Sequence, residues 1–230
     1  MYRRFYSSRS FVISLVIINA VIFLFTNFIQ IPVPRFLLIR IASKVGINVA
    51  RNAAYYGLPI TLFSLYPILI SKMGWIWQVF TYMFLHGSLL HIFFNMYALY
   101  LFGSPLEQKW GSGRFLVYYL LTGIGAGAVT FLWNNVKNPF IPTIGASGAI
   151  FGVMLAFGLE FPDTMLLLFF LLPVKAKYAA IIFGGIELIM LLTGSMQRIG
   201  HFTHLSGLFF GYVYYLLIIK RRKRPRYYIY

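Results

Sequence analysis

Cysteine is absent from the 230 residues, which excludes disulfides, thiolate metal sites and cysteine nucleophiles. Acids are nearly absent: Glu107, Glu160, Asp163 and Glu187 are the full set. Four scattered carboxylates rule out most two-carboxylate chemistry and oxygen-rich cation cages, so no cofactor and no metal is expected. Charged residues make up only 10% of the chain, against roughly 25% in a soluble domain. With 60% hydrophobic residues, the chain cannot cover a water-exposed surface, and its solvent is lipid.

What charge there is has one sign, a net +16. The basic residues are not spread over one soluble face, as nucleic-acid binding would require. They gather at the chain ends and between apolar runs, the pattern of a membrane protein with basic cytoplasmic flanks.

Apolar runs of about 20 residues are long enough to cross a bilayer as helices. Six candidate spans follow: Phe11 to Ile29, Tyr82 to Phe102, Phe115 to Trp133, Ala146 to Phe161, Tyr178 to Thr193 and Phe202 to Ile219. The first is too long for a signal-peptide core and lacks a small-residue cleavage site, so it reads as a retained span. Backbone facing lipid must satisfy its own hydrogen bonds, so the expected fold is an all-α, polytopic membrane bundle. Residues 11–219 form one domain, flanked by a cytoplasmic N-terminus (1–10) and a basic cytoplasmic tail (220–230). Residues 31–81 form a long outer connection of short amphipathic helices, with Tyr55, Tyr56, Tyr66, Trp75 and Trp77 at headgroup depth. The short run from Thr164 to Leu172, ending at Pro173, reads as an interfacial connector.

An even number of spans puts both termini on one side, and the positive-inside rule makes that side the cytoplasm. Thirteen of the twenty basic residues then lie inside; Arg35, Arg40, Lys44, Arg51 and Lys72 in the outer connection run against the rule. In this topology spans two, four and six run from outside to inside, and polar residues sit at the outer end of each. Span two carries His86, His91 and Asn95, span four opens with Ser147, and span six opens with His204. Intramembrane polar and ionisable residues are costly and mark functional cavities.

Ser147 falls in the first turn of a short span, where backbone N–H groups lack helical partners. Gly148, Gly152 and Ala156 form a small-residue stripe that permits close helix contact. Gly207 and Gly211 share the face of His204, and His91 and Asn95 share a face one turn apart. Taken singly, Ser147 reads as a packing serine and each histidine as a satisfied polar residue. Their common depth on three helices points to a site. His201 rivals His204 as base, but the glycines that follow His204 favour it. His86 reads as structural, at the mouth of span two.

At these residues the sequence resembles the rhomboid family of intramembrane serine proteases. The motifs are Gly145-Ala146-Ser147-Gly148, His91-xxx-Asn95, His204-xx-Gly207-xxx-Gly211 and Glu107-Gln108-Lys109-Trp110-Gly111-Ser112-Gly113. The resemblance implies a minimal six-span prokaryotic-type core, with Ser147 as nucleophile and His204 as general base. His91, Asn95 and the Ser147 backbone N–H would form the oxyanion hole. It also implies membrane-protein substrates, with small residues before the cleaved bond and helix-weakening residues after it. The expected location is a bacterial inner membrane. Gln78, Ser206 and Phe151 depart from the family pattern.

No acid is expected beside the base, since Glu160 lies at the inner end of span four and Glu187 lies mid-span. The expected catalytic unit is therefore a Ser–His dyad with His204 held by packing. The Leu172 to Lys177 connection and span five are the expected lateral gate. Two other readings stay open: a catalytically inactive rhomboid-like protein that binds membrane clients, and a proton-coupled transporter using His91, His204 and Glu187 as a relay.

Overall fold

The computed structural model describes residues 10–168, 171–193 and 198–220. The N-terminal arginines and the basic tail beyond Lys220 lie outside the described residues. Helix α1 covers Phe11–Phe28. Four short helices follow: α2 (Arg35–Val45), α3 (Ile47–Phe63), α4 (Pro67–Met73) and α5 (Gln78–Thr81), the last running into a 3-10 turn at Tyr82–Phe84. The bundle then continues with α6 (Leu89–Trp110), α7 (Ser112–Lys137), α8 (Ser147–Glu160), α9 (Ala176–Thr193) and α10 (Arg198–Tyr214), which ends in a π turn at Tyr215–Ile219. Five of the described helices are long and apolar enough to cross a membrane, and α8 is a shorter apolar helix at their centre. The chain is an all-α polytopic membrane protein.

Three features differ from the sequence reading. The second span starts at Leu89 rather than Tyr82, because the chain turns through 3-10 geometry and Ser88 caps the helix, its side chain accepting from the His91 N–H. His86 therefore precedes the span. The connector after α8 is an antiparallel hairpin, β1 (Met165–Leu168) paired with β2 (Leu172–Lys175). The 31–81 connection also has a core of its own. Ile41, Val49, Ala50, Ala53, Leu69, Tyr66 and Trp75 cluster there, so Tyr66 and Trp75 are buried while Tyr55 and Trp77 remain exposed. Positive-φ Gly57 kinks α3 just before Pro59, folding the segment onto itself.

Buried polar side chains tie the elements together. The Glu107 carboxylate, near the end of α6, accepts from Ser10 Oγ (2.6 Å), the Phe11 N–H (2.7 Å) and the Val12 N–H (3.2 Å). It thus satisfies first-turn donors of α1 that have no helical partner and complements the helix dipole. Lys109 pairs with Glu160 at the end of α8 (2.7 Å), and the Tyr215 hydroxyl donates to the same carboxylate (3.1 Å). These contacts bring the start of α1 and the ends of α6, α8 and α10 to one end of the bundle.

Helix α8 has 14 residues, about 21 Å of helix, against a hydrocarbon core of about 30 Å. Because Glu160 is fixed at the shared end, the shortfall falls at Ser147. The serine is recessed below the far end of its longer neighbours.

Glu107→Ala leaves two backbone donors of α1 and the Ser10 hydroxyl without their acceptor. The expected outcome is a loss of about 2–4 kcal/mol, read as a lowered unfolding midpoint in detergent, with Glu107→Gln recovering part of it.

Candidate active site

The site is built on the contact between α8 and α10. A Cβ added at Gly207 would overlap the backbone carbonyl oxygen of Gly148, and one at Gly211 would meet Gly152 Cα at 2.5 Å. The two backbones therefore touch over a full turn, and no side chain larger than hydrogen fits between them. The Tyr118 hydroxyl of α7 reaches the carbonyl oxygens of Gly152 (2.8 Å) and Gly211 (3.0 Å), pinning the pair from the third side. Thr130 and Thr203 bond each other at 2.9 Å, which adds a tie between α7 and α10.

This approach brings Ser147 Oγ to 2.7 Å from His204 Nε2, both residues half-buried. The Phe151 ring, one turn along α8 from the serine, stacks on the His204 imidazole at 4.3 Å between centroids and 9° between planes. The aromatic thus fixes the ring plane, and its lack of a hydroxyl leaves the stack intact. The Ser206 hydroxyl donates to the Phe202 carbonyl of its own helix (2.8 Å), which removes it from the site chemistry.

Gly145 has φ +125° and its N–H donates to the Tyr82 carbonyl (3.0 Å). A Cβ there would sit 2.8 Å from His91 Nε2 and 3.7 Å from Ser147 Oγ. Only glycine meets both constraints, and it lets the His91 ring lie close to the serine. Asn95 is nearly buried, and its Nδ2 donates to the His91 carbonyl one turn back (2.8 Å). His91, Asn95, Ser147 and His204 all line one apolar cleft of about 810 Å³, walled by α6, α8, β1 and Phe183 of α9. Ser147 opens α8, and the first turn of a helix leaves backbone N–H groups without intrahelical partners.

The Rhomboid domain family matches residues 73–221, more than half of the chain. The chain belongs to the rhomboid family. Rhomboid protease GluP of Bacillus subtilis (strain 168) is 41% identical over 86 residues, which take in 37% of this chain and 16% of that protein. Putative rhomboid protease YdcA of the same organism is 28% identical over 160 residues, covering 69% of this chain and 75% of that protein. The mitochondrial presenilin-associated rhomboid-like protein of Mus musculus is 31% identical over 136 residues, 57% of this chain and 35% of that protein. The chain thus spans well under two thirds of the length of several of these relatives.

In this rhomboid domain the serine and histidine singled out from the sequence face each other, and His204 rather than His201 meets Ser147. The expectation that no acid adjoins the base is corrected. Glu187 Oε1 lies 3.0 Å from His204 Nδ1, and its Oε2 lies 2.5 Å from His201 Nδ1. The signal was present in the sequence: Glu187 is eleven residues into a helix that rises from the Glu160 end, about 17 Å along it, near the depth of Ser147. His86 is fully buried, with its ring edge-on to His91 at 5.0 Å. Burial and the neighbouring His91 push its imidazole down to about 3, so it is neutral and adds no charge beside the site. Gln78 is fully buried in the outer connection, accepting from the Tyr66 N–H (3.1 Å) and donating to the Thr61 (3.0 Å) and Leu62 (3.2 Å) carbonyls. It joins three stretches of that segment and takes no part in the site.

Gly207→Ala forces α10 away from α8 and lengthens the serine–imidazole contact. Labelling of Ser147 by a fluorophosphonate should fall at least about tenfold, because a displacement near 1 Å already costs about 10² in reactivity. An equivalent Gly200→Ala change, in open space, should leave labelling unchanged.

Proposed function

We propose that the chain is an intramembrane serine endopeptidase that cleaves transmembrane segments of other membrane proteins. The observation that carries this reading is the 2.7 Å contact between Ser147 Oγ and His204 Nε2 inside an apolar cleft. An unassisted serine hydroxyl is a poor nucleophile, and a hydrogen-bonded neutral imidazole activates it. The names of two relatives, Rhomboid protease GluP and Putative rhomboid protease YdcA, support the same chemistry.

In this mechanism His204 Nε2 takes the Ser147 proton as Oγ attacks the scissile carbonyl, then returns it to the leaving amine. Negative charge develops on the carbonyl oxygen beside His91, Asn95 and the first-turn N–H groups of α8. Donors held there before the reaction would stabilise the charge with little reorganisation. Water then attacks the acyl-enzyme with the same histidine as base. A helical peptide bond is shielded by its own hydrogen bonds, so the substrate must unwind as it enters sideways between α6 and α9.

The proposed location is a bacterial inner membrane with both termini in the cytoplasm. Lys109, Lys175 and Lys177 lie at or just beyond the α8 end marked by Glu160, which agrees with a basic inner face.

The test is cleavage of a labelled transmembrane substrate by the chain reconstituted in lipid vesicles. Ser147→Ala and His204→Ala should each abolish cleavage, and Asn95→Ala should lower turnover by about 10²–10³ while the protein stays folded. Unchanged cleavage in both Ser147→Ala and His204→Ala would sink the protease reading. The His201–Glu187–His204 cluster also fits a proton relay; proton flux into vesicles that survives Ser147→Ala but not Glu187→Gln would favour a transporter instead.

A further inference from the structure

Helix α9 is held mainly at one end. Its buried residues are Ala176, Ala179 and Ala180, all in the first turns, where the Ala176 backbone passes close to Gly158. Farther along, Glu187 makes a polar link to the bundle, its carboxylate bridging two imidazoles of α10. Oε2 takes His201 Nδ1 at 2.5 Å and Oε1 takes His204 Nδ1 at 3.0 Å, with the Glu187 side chain 13% exposed. A helix in lipid needs no carboxylate to stay attached to its neighbour, and an intramembrane acid is costly to keep.

The ring chemistry gives this carboxylate a purpose. For Nε2 to accept the serine proton, the neutral imidazole must carry its own proton on Nδ1. Nδ1 is the atom that faces Glu187. A carboxylate there favours the required tautomer and, once Nε2 is protonated, stabilises the imidazolium. The Nδ1 contact is not aligned as a straight N–H···O bond, so its effect is electrostatic first. Such contacts tighten when substrate binds. His201 holds the second oxygen and so fixes the carboxylate in its bridging pose.

We propose that Glu187 is a positioning residue for His204, which turns the serine–histidine pair into a Ser147–His204–Glu187 triad whose acid comes from α9. This rests on the protease reading above. The groups facing His204 are Ser147 and Phe151 from α8, Glu187 from α9, His91 from α6 and His201 on its own helix. Among these Glu187 is the one acid, so its removal has a definite sign. Without the carboxylate the imidazolium formed during the reaction loses its counter-charge.

The experiment is full kinetics of the reconstituted chain on a fluorogenic transmembrane substrate across pH, with Ser147 labelling read in parallel. Glu187→Gln should lower kcat at least about tenfold with KM within about twofold, short of the ~10⁴ seen when a fully buried triad acid is neutralised. The acid limb of its kcat/KM profile should move to lower pH, and labelling should slow with kcat. Glu187→Asp, which keeps the charge, should recover part of the rate and return the acid limb toward wild type; its activity also covers the case where the glutamine variant does not fold. A merely structural link would lower the unfolding midpoint without moving the pH profile.

The three donor atoms of Glu187, His201 and His204 lie within 4.8 Å of one another, a spacing that a divalent cation also fits. Chelation should therefore leave wild-type activity unchanged; loss on chelation and recovery with zinc would overturn the proposal. Wild-type cleavage with an unaltered Glu187→Gln profile would overturn this inference alone. A wild-type chain that neither cleaves nor labels at Ser147 would overturn the protease reading and this inference with it.

Discussion

The backbone contact between α8 and α10 sets every other feature of the site. Dispersion and close approach hold helices together in lipid, because the hydrophobic effect gives no preference between a neighbouring helix and an acyl chain. Gly148, Gly152, Gly207 and Gly211 remove the side chains that would keep the axes apart. Only at that separation can a short serine side chain and an imidazole on two different helices share a hydrogen bond. Tyr118 then satisfies carbonyls of both helices at the crossing, so the close contact leaves fewer backbone acceptors to strain it.

Each of the four acids is matched to a specific partner, and their settings separate scaffold from chemistry. Glu107 caps α1, and Glu160 takes Lys109 and Tyr215 where α6, α8 and α10 meet. Asp163 is exposed beside Lys175 and Lys177, which hold its carboxyl below the usual range and mark the turn into α9. These three sit at one end of the bundle, within reach of its basic residues. Glu187 lies deeper, and its neighbours are imidazoles, groups that change charge when a proton moves. Its surroundings are those of the candidate site, where His204 meets Ser147.

The composition and the polar residues of α6, α8 and α10 were enough to read the bundle and the meeting of Ser147 with His204. Periodicity places glycines and histidines on common faces, and those faces are what pack. Other features were not legible. The strand pair 165–168 and 172–175 has the same apolar composition as a helix segment, so composition alone does not reveal the pairing. The start of α6 shifted because Ser88 caps it, a choice made by one hydroxyl against an otherwise continuous apolar run. The burial of Tyr66 and Trp75 follows from the kink at Gly57, which folds an interfacial segment into a small core. Glu187 reads as mid-span and remote in the sequence, and its nearness to Ser147 in depth emerges only across two helices that run in opposite directions.

Helix α9 therefore serves two purposes through one face. Phe183 lines the apolar cleft and Glu187 meets the base, and residues four apart lie on the same side of a helix. The near end of α9 is fixed by small residues against α8, and most of its remaining side chains face outward. In the proposed reaction, a substrate segment entering between α6 and α9 would pass the Phe183 ring that lines the cleft with Ser147. One face of α9 thus borders the cleft and reaches the His204 imidazole.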